Sequence, residues 1–165
     1  MSAEVEARVL LEQDLRHAIE MQELDLFYQP QVDTKSGQVV ALEALIRWNH
    51  PGGSQVQPDD FIPLAEETGL ILPIGDWVLE TACKQNQLWK ERGLAQGVVV
   101  AVNFSARQFQ DTRLIEKIRA VLERIGLPPE YLEIEITEST AMRDVEYSVR
   151  TLTGLRELGG PPIYR

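Results

Sequence analysis

Apolar and polar residues alternate with different periods along the chain, and each change of period marks a predicted element. Residues 4 to 23 carry apolar side chains at helical spacing, which predicts an amphipathic helix. The segments 24–32 and 39–48 show the alternation of strands, and a turn over residues 33–38 separates them. Because these six residues cannot contain a crossover helix, the two strands are expected to pair in the antiparallel direction.

From residue 58 onwards, helical and strand-like segments follow each other. The predicted elements are helices over residues 58–69 and 74–93, a strand over 97–105, a helix over 111–126, a strand over 131–139 and a helix over 144–159. The first of these strands is almost continuously apolar, as expected of a strand buried on both faces. In the last helix, the residues expected to face inward are Val145, Val149, Leu152 and Leu155. This order favours an α/β domain with a parallel sheet and right-handed crossovers.

Length and charge narrow the classes of function. The 165 residues suffice for one domain with its own core. Asp and Glu number 26 against 16 Lys and Arg, so the net charge is −10. This charge argues against binding of a nucleic-acid polymer, which needs clustered Lys and Arg. A small anionic ligand remains compatible with it if metal ions or a local arginine offset the charge.

The sequence shows neither a membrane span nor a signal peptide, and its cysteine content also bears on the cellular compartment. No apolar run approaches the roughly 18 residues of a membrane span, and the first residues lack the pattern of a signal peptide. Cys83 is the single cysteine, so no disulfide can form within the chain. We therefore expect a cytoplasmic protein, with Cys83 as a packed small apolar residue.

Polar residues occupy three predicted strands at positions that packing alone does not explain. They are Glu43 and Arg47 on one strand, Asn103 on the next, and Glu135 and Glu138 near the end of the last. The carboxyl ends of parallel strands form the ligand site of α/β proteins. Carboxylate and amide oxygens suit Mg²⁺, Mn²⁺ or Ca²⁺, and the Arg47 guanidinium suits a phosphate. The alternative is that the acids are only solvated and that Glu43 and Arg47 form a salt bridge.

Five segments, in this order and spacing, resemble the EAL domain, a family of bacterial phosphodiesterases specific for cyclic-di-GMP. They are "FYQPQVD", "ALEALIRWNHP", "DDFIPLAEETGLI", "VNFSARQF" and "LEIEITES", and the second contains the Glu-Ala-Leu motif that names the family. The resemblance covers residues 25–159. Residues 1–24 resemble the connector helix that joins a GGDEF domain to an EAL domain, and residues 160–165 do not resemble the family.

The resemblance implies both a fold and a chemistry. The fold would be part of a TIM-like barrel, with about four of its eight strands and the first strand antiparallel. The activity would be hydrolysis of one phosphodiester bond of cyclic-di-GMP, assisted by Mg²⁺ or Mn²⁺, to give the linear dinucleotide. The implied metal ligands are Glu43, Asn103 and Glu135, of which Glu43 and Glu135 are the catalytic carboxylates. The implied substrate contacts are Gln29, Leu45 and Arg47, and Glu138 would anchor an active-site loop.

The chain ends earlier than the family pattern. A complete barrel has about 250 residues, and the Asp-Asp-Phe-Gly motif and the lysine that follow in the family are not among these 165 residues. We therefore expect this chain to be inactive alone. The alternative is a non-catalytic EAL remnant that acts through protein–protein interaction or self-association. Because a partial barrel leaves sheet edges open, a homo-oligomer is expected in either case.

One unrelated class of enzyme fits some of the same residues. A barrel glycosidase could use Glu43 and Glu135 as its acid pair. Asn103 and Arg47 argue against this class, because neither is needed for that chemistry.

Overall fold

The computed structural model describes residues 2–159, which form one mixed sheet with helices along the chain. In order, the elements are α1 (Ala3–Glu20), β1 (Leu24–Val32), β2 (Val39–Asn49), β3 (Gln55–Val56), α2 (Pro58–Thr68), α3 (Ile71–Glu91), β4 (Val99–Asn103), α4 (Ala106–Phe109), α5 (Leu114–Ile125), a 3₁₀ turn (Pro129–Tyr131), β5 (Leu132–Glu135), α6 (Glu138–Arg143) and α7 (Val145–Glu157). Within these residues, no helix combines the length and apolar character that a membrane span needs.

The sheet has the strand order β1-β2-β4-β5, and the short β3 pairs with the end of β2. β1 and β2 are antiparallel, which confirms the prediction from the short turn between them. β2, β4 and β5 are parallel, with Glu43 opposite Ala101 and Asn103 opposite Glu135. The predicted α/β class with an antiparallel first strand is therefore confirmed. β3 was not predicted, because its two residues lie in a segment rich in glycine and proline.

Buried apolar residues join the sheet to the helices on one of its faces. Val100 and Val102 of β4 are buried among Trp48 of β2 and the α3 residues Ile74 and Cys83. The Cys83 side chain is buried, and burial raises the pKa of its thiol to about 12. The thiol is therefore protonated at neutral pH, in agreement with the predicted packing role.

Asn86 of α3 is fully buried and ties the amino ends of two strands to the helix. Its side-chain Nδ2 atom donates to the carbonyl oxygens of Val98, at 3.3 Å, and Tyr131, at 3.1 Å. These carbonyls lie just before β4 and β5, where neither strand has yet begun. The amide thus supplies donors to backbone groups that would otherwise be costly to bury.

The helix α1 is only partly packed against the rest of the structure. Leu15 and Ala18 in its second half are fully buried, whereas Val5 and Val9 in its first half are exposed. An ion pair between Arg8 and Glu67 joins α1 to α2. The division into a connector helix over 1–24 and a domain over 25–159 stays a prediction, and the tail 160–165 lies outside the described residues.

Arg107 of α4 connects the loop after β4 to the end of α2. Its Nη1 atom donates to the carbonyl oxygens of Glu66, at 2.6 Å, and Glu67, at 3.3 Å, which have no partners inside the helix at this end. Gly69 ends α2 in the left-handed region with φ +82°, as its position in the sequence predicts. The guanidinium and the glycine together terminate α2 beside α4.

The inward face predicted for α7 was wrong for two of four residues. Val145 and Val149 are 51% and 57% exposed, while Ser148 and Thr151 are buried. The reason is a close approach to α5: a Cβ on Gly154 would lie 2.4 Å from Cδ1 of Ile115. Small side chains permit this approach, so α7 turns its small polar face inward instead of its valines.

Candidate active site

One face of the sheet carries the polar residues singled out in the sequence. We call it the open face and define it by alternate residues of β1 and β2, whose cross-strand pairs are Asp25–Arg47, Phe27–Leu45 and Gln29–Glu43. Their neighbours Leu24, Leu26 and Ala44 point to the opposite face and are buried in the core. Because side chains alternate along a strand, the polar candidates lie on the open face together with Phe27 and Leu45, while the core residues lie on the other face.

Glu43, Asn103 and Glu135 come together on the open face from three neighbouring strands. The Nδ2 atom of Asn103 donates to Oε1 of Glu43 at 3.0 Å, and Asn103 is the register partner of Glu135. Glu135 is 6% exposed, and its Oε1 atom accepts a hydrogen bond of 3.4 Å from Nε2 of Gln31 on β1. Two carboxylates therefore lie on either side of one amide.

Arg47 is held by its own strand and by an aromatic ring. Its Nη1 atom donates to the carbonyl oxygen of Ile46 at 2.9 Å, and its guanidinium carbon lies 5.5 Å from the ring centre of Phe27. Asp25, opposite in register, accepts a hydrogen bond from the backbone N–H of Leu26 at 2.8 Å. Within residues 2–159, Arg47 forms no ion pair, so the salt bridge considered as an alternative is not present.

A cavity of about 520 Å³ opens at the carboxyl ends of β2, β4 and β5. Its polar lining includes Arg47, Asn103, Glu135 and Thr137, and Leu45 belongs to its apolar lining. The predicted placement of the ligand site at the ends of parallel strands thus coincides with a cavity large enough for a nucleotide-sized molecule.

The structure does not place Glu138 with the other candidates. The strand predicted over 131–139 ends at Glu135, and Glu138 is the first residue of α6. Thr137 caps this helix by accepting from the backbone N–H of Thr140 at 3.3 Å, which explains the change from strand to helix. The Glu138 side chain is exposed and does not line the cavity. Its role as a loop anchor stays a prediction.

Three further residues contact the candidate residues or line the cavity but were not identified in the sequence. Phe27 contacts Arg47, Gln31 contacts Glu135, and Arg143 at the end of α6 lines the cavity. The alternation of β1 contained the signal for the first two, because both share the parity of Gln29. The sequence held no comparable signal for Arg143.

The donor set is compatible with a hard divalent cation. Glu43 and Glu135 offer carboxylate oxygens, and a half-turn of the Asn103 amide presents Oδ1 where Nδ2 now lies. No group of three or more His, Cys, Asp or Glu residues in the part of the chain described here is arranged to hold a metal ion. The cation would therefore depend on the amide as well as on the two acids.

Comparison with known proteins identifies the family of the chain. The family model of the EAL domain matches residues 12–160, and the chain therefore belongs to the EAL domain family. Known EAL domains form TIM-like barrels, and the β1-β2-β4-β5 sheet is part of such a barrel.

Several curated relatives are cyclic-di-GMP enzymes by name. The bifunctional diguanylate cyclase/cyclic di-GMP phosphodiesterase MucR of Pseudomonas aeruginosa is 45% identical over 159 residues, which is 96% of this chain and 23% of MucR. The cyclic di-GMP phosphodiesterase PdeR of Escherichia coli is 36% identical over 149 residues, which is 90% of this chain and 22% of PdeR. The chain thus spans about a fifth of the length of these relatives.

A solved structure extends the comparison to three dimensions. The structure described as the PaMucR phosphodiesterase in complex with c-di-GMP superposes with a TM-score of 0.89 at 45% identity. The superposition covers 93% of this chain and 62% of that one. The fold of the described residues is therefore that of the matching part of an EAL phosphodiesterase.

Proposed function

We propose that this chain carries the amino-terminal part of a metal-dependent cyclic-di-GMP phosphodiesterase site. The observation that carries the proposal is the contact between Asn103 and Glu43, with Glu135 next in register. Asn103 and Glu135 line the cavity of about 520 Å³, whereas Glu43 adjoins it through Asn103. The names of the curated relatives and the c-di-GMP complex of the similar structure support the substrate class. The reaction would open one phosphodiester bond with water and yield the linear dinucleotide.

The proposed metal ligands are Glu43, Asn103 and Glu135, and the proposed cation is Mg²⁺ or Mn²⁺. When bound, such a cation makes hydroxide available near neutral pH and neutralises charge on phosphoryl oxygens. The chain's own contribution is to hold two acids in place. The hydrogen bond from Gln31 fixes one carboxylate oxygen of Glu135, and the bond from Asn103 fixes one of Glu43.

The proposed substrate contacts are Gln29, Leu45 and Arg47. Arg47 would bind a phosphate through its free N–H groups, since no acid within residues 2–159 neutralises it. Gln29 lies opposite Glu43 and offers an amide to a polar edge of the ligand, while Leu45 offers an apolar surface to a base. These roles account for the acid, aliphatic and basic residues that share one face of β2.

We also propose that the 165-residue chain binds cyclic-di-GMP but does not hydrolyse it alone. The comparison covers 62% of the solved relative, and the family resemblance assigns further acidic ligands and a lysine to the remainder. Without them, several kcal/mol of transition-state stabilisation would be missing. The name of MucR also supports the proposal that α1 is joined to a GGDEF domain in longer proteins.

Binding and turnover can be tested with one set of proteins. The purified chain is titrated with cyclic-di-GMP in Mg²⁺ or Mn²⁺ by calorimetry, and the linear dinucleotide is sought by chromatography. Binding that Glu43→Gln abolishes, and that Glu123→Gln on the exposed side of α5 leaves unchanged, supports the proposal. Equal binding by both variants contradicts it. Turnover by the chain alone would contradict only the proposed inactivity.

We also propose self-association, because apolar residues are exposed on the first two strands and on the last two helices. Phe27, Val32, Val39 and Val40 are exposed on β1 and β2. Met142, Val145 and Val149 are exposed on α6 and α7. In addition, β1 and β5 have no neighbouring strand on their outer sides within residues 2–159. Light scattering after size exclusion should give a dimer or larger assembly, and a stable monomer at all concentrations would contradict self-association.

A further inference from the structure

Arg47 and Arg143 are the only Lys or Arg side chains among the described residues that line the cavity of about 520 Å³. The whole chain has a net charge of −10, and the acids Glu66 and Glu135 also line the cavity. Positive charge is therefore scarce around the cavity as a whole. Its concentration at two points indicates a ligand with two negative groups rather than one.

The Arg143 side chain has no partner within residues 2–159. It is exposed, and it makes no hydrogen bond, ion pair or aromatic contact there, although Asp144 and Glu146 follow closely in sequence. Arg150, seven positions later, instead has its Nη1 atom 3.7 Å from Oε1 of Glu146. Arg143 is thus a cation at a cavity wall without an acid to neutralise it.

The two arginines approach the cavity from different sides. Arg47 lies on β2, and Arg143 ends the short helix that follows β5, while β4 runs between β2 and β5. Neighbouring strands are separated by about 4.8 Å, so β2 and β5 are about 10 Å apart. Two guanidinium groups on separate elements of one cavity wall can contact two phosphates at once.

We propose that Arg143 is a second phosphate-binding residue of the site. Arg47 binds one phosphate of a cyclic dinucleotide, and Arg143 binds the other. The inference rests on the proposed function, because a cyclic dinucleotide carries two phosphodiester groups in one ring. Each guanidinium offers paired N–H donors, which match the oxygens of a phosphate.

The competing explanation is that Arg143 only stabilises the end of α6, where a positive charge is favourable. The two explanations predict different measurements. A stabilising role lowers the unfolding temperature of Arg143→Ala and leaves ligand affinity and its salt dependence unchanged. A phosphate contact lowers affinity and reduces the salt dependence, because one fewer ion contact is made.

The test is calorimetric titration of cyclic-di-GMP into the full 165-residue chain with Mg²⁺, at several salt concentrations. The proteins are the wild type, Arg143→Ala, Arg143→Lys and the charge-matched control Arg150→Ala. We expect Arg143→Ala to bind about ten-fold more weakly, and its affinity to fall less steeply with rising salt concentration than that of the wild type. Arg143→Lys should recover part of the affinity, and Arg150→Ala should behave as wild type.

Each outcome separates this inference from the proposed function. One outcome is that the wild type binds and that Arg143→Ala and Arg150→Ala both bind with the same affinity and salt dependence as the wild type. This result overturns the role of Arg143 and leaves the proposed function standing. Absence of binding by the wild type overturns both. If Arg143→Ala also unfolds at a lower temperature, the salt dependence decides, because a purely structural role does not change it.

Discussion

Asn103 donates a hydrogen bond from Nδ2 to Oε1 of Glu43 at 3.0 Å, across 60 positions of sequence. The bond joins β4 to β2 on the open face, beside the register partner Glu135. An amide at this point separates two acids without adding a third charge. The repulsion between the Glu43 and Glu135 carboxylates is therefore moderate without a cation, and a bound cation would turn it into a net attraction.

Asn103→Asp should make the stability of the chain depend on divalent cations. A carboxylate in place of the amide removes the donor to Glu43 and places like charges together, so the variant should lose about 1–3 kcal/mol in a chelator. Mn²⁺ should raise the unfolding temperature of the variant by more than it raises that of the wild type. The measurement is thermal unfolding with and without Mn²⁺, and Gln110→Glu at an exposed position is the control for added charge. A loss that Mn²⁺ does not reduce would argue against a cation at this point.

Phe27→Leu should weaken ligand binding through Arg47. The Phe27 ring is 51% exposed and lies 5.5 Å from the Arg47 guanidinium, so its removal should scarcely change unfolding. A cation–π contact at an exposed site contributes about 0.5–1 kcal/mol, which corresponds to roughly a two- to five-fold change in affinity for cyclic-di-GMP. Phe27→Tyr keeps the ring and should bind as wild type. Equal binding by the leucine and tyrosine variants would show that the ring does not position Arg47.

Gly75→Ala should destabilise the chain, because a Cβ at this position would lie 1.8 Å from Nε2 of Gln108. Gln108 is not free to move, since its Oε1 atom accepts from the backbone N–H of Ser105 at 2.9 Å in the capping box of α4. We expect a loss of about 1–2 kcal/mol in urea unfolding. In a Gln108→Ala background the sign should reverse, because alanine is favoured over glycine within a helix by roughly 0.5–1 kcal/mol. The same loss in both backgrounds would mean that Gln108 is not the cause.

Asp111→Asn should cost stability at neutral pH but not in acid. The backbone N–H of Arg113 and the ammonium of Lys117 lower the pKa of the Asp111 carboxyl. A lowered folded-state pKa stabilises the fold above the ordinary value of about 3.9, and this contribution is lost as the pH falls through the folded value. Urea unfolding should show a difference from wild type of about 1 kcal/mol at pH 7 that shrinks towards pH 3. A difference independent of pH would exclude the charge of Asp111 as its source.

The sequence predicted the strands of the site well because their signals are local. Alternation placed Glu43 and Arg47 on one face, and the short turn after β1 determined the antiparallel pairing. Predictions failed where packing between distant segments decided the outcome. Val145 and Val149 are exposed because Gly154 approaches Ile115, a contact between helices that no local period reveals. Glu138 lies on a helix because Thr137 caps it, although the preceding residues favour a strand.

α1 and the loop after Asn103 both contact the same end of α2. Arg8 pairs with Glu67 at the end of α2, and Arg107 holds the carbonyl oxygens of Glu66 and Glu67 at that same end. Both contacts end on the last turn of α2, so α1 and the segment that begins two residues after Asn103 are attached to the same helix end. The Arg8 and Glu67 side chains are more than half exposed and their ion pair contributes little to stability, so the two hydrogen bonds of Arg107 are the firmer of these attachments.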